Sequence, residues 1–226
     1  MKKKVFIEVG ANVGGDTKRF IGPDSIVYCF EPAMELAYGL WEKYRDAESV
    51  IVLPMAIDDT NTIKKFNVAG HGDPFDKGNG TGCWGNSGFH EFTDDVIAEW
   101  CEMSEGTSNH RRRDDFKHTH SYNVPTITLF DFVNLYNIDE VDYLWVDAQG
   151  HDFTVIKSLG DKLSIIKEGR CEATHNLKLY EVDNYYQDTV DYLTERGFKC
   201  EVSLDHSGFG AECDIHFKRN DETNSA

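Results

Sequence analysis

No two of the six cysteines stand close enough to form a C-x-x-C pair: Cys29, Cys83, Cys101, Cys171, Cys200 and Cys213 are scattered over 226 residues. That spacing excludes a cysteine-based zinc site and the disulfide framework of a small secreted domain, and it predicts buried thiols. Long apolar runs are missing as well. Behind Lys2–Lys4 the run Val5–Ile7 is too short for a signal peptide or a membrane span, so a cytoplasmic protein with no membrane partner is expected. Positive charge is the third shortage: 23 Lys and Arg face 40 Asp and Glu, a formal net charge of −17. Such a surface repels a nucleic-acid backbone as it does an anionic bilayer, and no nucleic-acid partner is expected. The concentrated basic stretch Arg111–Arg113 is answered at once by Asp114 and Asp115 and reads as a solvated loop.

What the chain does have is a β-α rhythm. Val5–Val9, Ser25–Phe30, Val50–Pro54, Val141–Val146 and Lys167–Ala173 read as strands, with Lys64–Val68 a short one antiparallel to its neighbours. Asp16–Phe20, Met34–Tyr44, Thr128–Tyr136, Phe153–Leu159 and Tyr185–Glu195 read as helices. Phe198–Leu204 and Cys213–Lys218 can pair as a hairpin across the Gly208–Gly210 loop. The pattern predicts an α/β doubly wound sheet, mostly parallel, with one antiparallel edge hairpin, and a single domain over residues 1–219 with a frayed tail at 220–226. Between Ala69 and Asn123 the rhythm is lost and only Thr93–Met103 looks helical; an insertion of that length is functional or mobile. Its glycine-rich part, residues 70–89, carries Phe75, Trp84 and Phe89. It is expected to act as an acceptor lid, the other reading being a loop that its aromatics pin to the core.

In such sheets ligands bind beyond the carboxyl ends of the strands, which directs attention to Glu8-Val9-Gly10-Ala11-Asn12-Val13-Gly14. Gly10 permits a sharp turn, and Gly14 permits close approach of a ligand. Glu31 closes the second strand 21 positions after Gly10, near the spacing of roughly 20 at which a carboxylate receives ribose hydroxyls. A dinucleotide site would want glycine at positions 10, 12 and 15, and here Asn12 breaks the series. Glu8 would also repel a pyrophosphate but would suit an ammonium or sulfonium group. A nucleoside cofactor is expected, against the alternative that the glycines merely end a strand.

The ordered segments FIEVGANVGGDT, VYCFEPAMELA, VLPMAIDD, ITLFDFV and VDYLWVDAQGHDFTVIKSL resemble the FkbM family of S-adenosylmethionine-dependent methyltransferases over Val5 to Leu159, with a weaker echo to the last strand. The resemblance implies a class I, Rossmann-like methyltransferase fold, S-adenosylmethionine as donor with S-adenosylhomocysteine as product, and a hydroxyl of a sugar or glycoside as acceptor. It implies that Glu8, Gly10, Asn12 and Gly14 surround the methionine end of the cofactor, with Ala11, Asp16 and Thr17 beside them. Glu31 with Pro32 would hold the ribose, Met55 and Ala56 would lie near the adenine, and Asp147-Ala148-Gln149-Gly150 would floor the site. Where many members read DVEGAE, this chain reads DAQGHD.

Methyl transfer to an alcohol requires a positioned nucleophile and a destination for its proton. Asp147 ends a buried apolar run and is the first candidate base; its other reading is a carboxylate that caps the following turn. His151 is the second candidate, and Glu172 and His175 follow the next strand, where they could orient the acceptor. His118 and His120 have no carboxylate partner at a telling spacing, so no metal ligands are assigned and metal dependence is left open. A nicotinamide-dependent oxidoreductase and a non-catalytic nucleoside-binding module remain the alternatives.

Overall fold

The computed structural model describes residues 2–70, 74–75, 83–106, 112–175, 179–180, 185–204 and 212–220. The Gly208–Gly210 loop, residues 221–226 and most of 71–82 lie outside the described residues. Seven strands form the main sheet: β1 (Lys4–Val9), β2 (Ser25–Phe30), β3 (Val50–Leu53) and, after three strands or pieces of strand that lie elsewhere, β7 (Val141–Val146), β8 (Ile166–Thr174), β9 (Phe198–Leu204) and β10 (Glu212–Arg219). Their order is β3-β2-β1-β7-β8-β10-β9. The first five are parallel, and β10 runs antiparallel to both β8 and β9. The chain winds outward from β1 to β3 and then returns to the opposite side of β1. The order therefore reverses between β1 and β7.

Alternation along β1 divides the core. Ile7 and Val9 join Phe30, Leu144, Val146, Phe132 and Val155 on one face of the sheet, where Phe132 meets Tyr28 and Phe30 edge-on with ring centroids 5.1 and 4.8 Å apart. On the other face Val27 and Cys29 pack with Ala11 and Leu40. Leu40 belongs to α1 (Met34–Tyr44), whose buried stripe Leu36, Ala37 and Leu40 repeats at helical spacing. Further helices are α2 (Asp94–Met103), α3 (Leu129–Leu135), α4 (Asp152–Lys157) and α5 (Tyr186–Glu195). Thr93 and Thr128 start two of them, their hydroxyls accepting from the amides of Val96 and Asp131. Among the described residues no helix is long and apolar enough to cross a membrane.

Three expectations need correction. Asp16–Phe20 is not an α-helix but a three-residue 3-10 turn, Thr17–Arg19. Glycines at 14, 15 and 22 and Pro23 leave too few residues between them to nucleate a helix. Second, Ile63–Val68 (β5) does not flank the main sheet; it pairs antiparallel with β6 (His120–Ile127), which also pairs parallel with β4 (Ala56–Ile57). Third, β6 begins within the stretch expected to lack regular structure. Only Val124 and Thr126 of β6 are fully buried, and the proline at 125 between them reads as a strand breaker.

Candidate active site

Register brings three strand tips level. Val9 stands opposite Phe30 on one side and Val146 on the other, so residues 10, 31 and 147 leave the sheet side by side. Gly10 N–H and Ala11 N–H both donate to the Phe30 carbonyl, at 2.9 and 3.1 Å, and Asp147 N–H donates to the Val9 carbonyl at 3.0 Å. Above these tips opens a crevice with solvent access, walled by Gly10, Asn12, Glu31, Met55, Asp147 and His151 among others. Asn12 and Gln149, on facing loops, both adopt left-handed backbone, with φ of 49° and 50°. Such conformations are stored at functional loops.

Glu31 is 4 % exposed. Its Oε2 accepts from Asn12 N–H at 2.7 Å and its Oε1 from Ala33 N–H at 2.8 Å. Burial raises its pKa to about 7 in spite of these two bonds. Glu8 lies on the opposite face of β1 and does not line the crevice; its Oε2 accepts from the Thr17 hydroxyl at 2.6 Å and the Cys29 thiol at 3.6 Å. Burial again dominates, and the carboxyl is raised to about 7. Asp152, at the start of α4, is likewise raised to about 7 by burial.

These shifts make stability depend on pH. A carboxyl whose folded pKa exceeds its unfolded value stabilises fully below the unfolded pKa, and that contribution is lost as pH rises through the folded one. The ligand-free protein should therefore lose stability as pH rises from about 4.5 to about 7. Glu8 and Glu31 each contribute at most about 3.5 kcal/mol to this change. In Glu8→Gln the slope of unfolding free energy over that window should shrink, as followed by denaturant titration at a series of pH values.

Eight residues of the expected cofactor set line the crevice: Gly10, Asn12, Glu31, Pro32, Met55, Ala56, Asp147 and Gln149. Glu8, Ala11, Gly14, Asp16 and Thr17 do not. Ala11 is in the core beside Leu40, and Asp16 pairs with Arg19 at 3.0 Å. The space beside Gly14 belongs to α1: a Cβ there would stand 2.7 Å from Leu40 and 2.8 Å from Tyr44. The room that Gly14 leaves serves helix packing, not ligand approach.

Of the expected catalytic residues, Asp147 and His151 line the crevice, while Glu172 and His175 on and after β8 do not. Burial raises the Asp147 carboxyl, opposed by the Gln149 side-chain amide, which donates to Asp147 Oδ1 at 2.9 Å. Tyr180 O–H donates in turn to Gln149 Oε1 at 2.9 Å. His151, 7 % exposed, uses both ring nitrogens: Nε2 lies 3.0 Å from Asp58 Oδ1, and Nδ1 lies 3.0 Å from His90 Nε2.

Nothing in the sequence linked Asp58, His90 and Lys64 to His151: Asp58 follows β4, Lys64 lies on β5 and pairs with Asp58, and His90 follows the bridge between Gly88 and Asn67. Leu36, Phe66 and Gly88 complete walls that reasoning about the strand tips alone misses. Trp84 and Phe89 from the glycine-rich stretch do line the crevice, whereas Phe75 packs beside Gly39 of α1. Among the described residues no group of three or more His, Cys, Asp or Glu side chains could hold a metal ion.

A sheet of this order with a glycine turn, a carboxylate at the tip of β2 and a crevice at the reversal point is that of a class I methyltransferase that uses S-adenosylmethionine. Residues 8–200 match the methyltransferase FkbM domain, and the chain belongs to that family. The oxidoreductase and non-catalytic alternatives are thereby set aside. No curated protein matches the chain. Among solved structures, the fibrillarin/Nop5p complex is similar at 11 % identity and a TM-score of 0.50, over 96 % of this chain and 73 % of that one. An rRNA methylase from Streptococcus thermophilus has 8 % identity and a TM-score of 0.48, over 96 % and 87 %. Magnesium protoporphyrin IX methyltransferase from Synechocystis PCC 6803, with S-adenosylmethionine bound, has 9 % identity and a TM-score of 0.47, over 97 % and 71 %. The match to fibrillarin/Nop5p carries the fold alone.

Proposed function

We propose that the protein methylates a hydroxyl oxygen of a sugar or small glycoside, and that it does so in the cytoplasm. The observation that carries this reading is the crevice itself: the buried carboxyl of Glu31 and the half-buried one of Asp147 stand on its floor, and the aromatic rings of Trp84 and Phe89 on its wall. Aromatic faces suit the apolar side of a sugar ring, and the net charge of −17 disfavours a polyanionic acceptor such as RNA. The crevice suits the cofactor, with Glu31 able to accept from ribose hydroxyls beside its two amide bonds. Bound there, S-adenosylmethionine supplies an electrophilic methyl group on a sulfonium.

The protein's own residues do the rest. Glu31 and Pro32 hold the ribose, Met55 and Ala56 flank the adenine, and Asn12 with Gln149 closes on the amino-acid end. Asp147 accepts a hydrogen bond from a neighbouring hydroxyl of the acceptor and so fixes the reacting one in line with the methyl carbon, where orientation supplies much of the rate. Residues 69–123 supply the cover that excludes water.

The test is incubation with labelled S-adenosylmethionine and a panel of glycosides, with an RNA transcript as a separate arm, and location of the label by mass spectrometry. Label on a glycoside hydroxyl is expected; label on RNA alone would overturn the reading. Asp147→Asn should reduce transfer by about 10²-fold or more in the same assay.

A further inference from the structure

We infer that His90, through His151, forms a proton-accepting chain that ends on Asp58, with the open nitrogen of the chain being Nδ1 of His90 and neither nitrogen of His151. The inference rests on methyl transfer to a hydroxyl, whose proton must leave as the carbon–oxygen bond forms. It deepens the reading of His151 as a base, because neither ring nitrogen of His151 is free.

The order of hydrogens follows from the partners. Asp58 is fully buried, its Oδ1 accepts from Asp59 N–H at 2.8 Å, and its other oxygen is paired with Lys64. Burial alone would raise this carboxyl, but hydrogen bonds from His151 and Lys64 outweigh it and hold it well below the ordinary range. A carboxylate can only accept, so the Nε2 of His151, 3.0 Å away, carries the hydrogen. In a neutral ring the Nδ1 of His151 then has only a lone pair, and the Nε2 of His90, 3.0 Å from it, must donate. That leaves His90 Nδ1 as the acceptor. Gly88 and Phe89, just before His90, line the crevice, and the Phe89 ring packs against His151 with centroids 5.1 Å apart.

When His90 Nδ1 takes the acceptor's proton, the hydrogen on His90 Nε2 can pass to His151 Nδ1. His90 is then neutral again, and the positive charge rests on His151 against the Asp58 carboxylate. One proton enters and one charge moves; nothing else is consumed. The facing charged groups are Asp58 and Lys64 on the second-sheet side. On the other side stands the Tyr180 phenol, its ring 6.3 Å from His90 and its pKa pushed well up by burial, so it stays neutral. Burial, then His151 and Lys64, depress His90 to about 4, so at neutral pH its acceptor nitrogen is free. Asp58 and Lys64 are positioning residues here.

The experiment is long-range nitrogen–proton NMR on histidine-labelled protein without cofactor, titrated between about pH 4 and pH 8. At neutral pH both rings should carry hydrogen on Nε2 only. Lys64→Met should raise the His90 midpoint above about 4. Hydrogen on His151 Nδ1, or a His90 midpoint unmoved by Lys64→Met, would overturn the chain. In the transfer assay His90→Gln should lower the rate about 10²-fold or more at neutral pH and leave S-adenosylhomocysteine affinity unchanged. A rate equal to that of the unaltered protein would overturn the role of His90. Should no glycoside accept the label, the acceptor reading fails by itself while NMR still decides the proton order.

Discussion

Glu31→Ala is expected to weaken S-adenosylhomocysteine binding by about a hundredfold or more, with cooperative unfolding retained. Each of two hydroxyls donating to a buried carboxylate contributes about 1.5–3 kcal/mol, and about 2.7 kcal/mol already corresponds to a hundredfold. The alanine also removes the acceptor that holds Asn12 N–H at 2.7 Å and Ala33 N–H at 2.8 Å, so the left-handed turn at Asn12 loses its anchor. Glu31→Gln should fall between, since one oxygen still accepts while the charge is gone. The pH dependence separates the charge from the shape. With the carboxyl at about 7, affinity of the unaltered protein should decline as pH drops below that value, whereas Glu31→Gln should show a flatter profile. Calorimetry across this range checks both, and a dissociation constant unchanged in Glu31→Ala would remove the ribose from Glu31.

Much of the frame was legible in the sequence because it is written in local pattern. SIVYCF, MELAYGLWEKY and VDYLWV occupy the elements expected of them residue for residue, since buried parallel strands are apolar throughout and α1 repeats at helical spacing. Strand ends were legible for a related reason: a carboxylate such as Glu31 or Asp147 terminating an apolar run has few structural explanations. The second sheet was not legible. Its central strand β6 exposes half of its residues and contains Pro125, and its partner β4 has two residues. With that sheet hidden, the pairing of Asp58 with His151, 93 positions apart, had no local trace. The orientation of Glu8 was open to inspection, because alternation along β1 sends it away from the face that Ile7 and Val9 share. Its charge beside the glycine turn suggested a ligand; the period of the strand turns the side chain to the face opposite the crevice.

Gly10→Ala is expected to cost more than any other single methyl group added to this protein's strand tips. Gly10 has φ of +83°, and a Cβ built there would lie 1.8 Å from the Asp147 carbonyl oxygen and 2.9 Å from its carbon. Both are backbone atoms, so no side chain can swing aside. The left-handed conformation costs an alanine about 1–2 kcal/mol, and forced expansion of a packed site adds about 1–3 kcal/mol. Against a total stability of about 5–15 kcal/mol, that sum should lower the melting temperature by roughly 10 °C for a chain of this size. The damage is also directional. Relief requires the tip of β1 to move away from β7, which breaks the 3.0 Å bond from Asp147 N–H to the Val9 carbonyl and swings Asp147 out of line with Glu31. Cofactor affinity should fall even at temperatures where the variant is folded. Gly15→Ala is the matched control: no heavy atom lies within 4 Å of a Cβ at Gly15, and the change should stay within about 0.5 kcal/mol. Differential scanning calorimetry and S-adenosylhomocysteine titration of the pair test this together. Equal melting and equal affinity in both variants would mean that the close contact between the β1 turn and Asp147 does not shape the crevice.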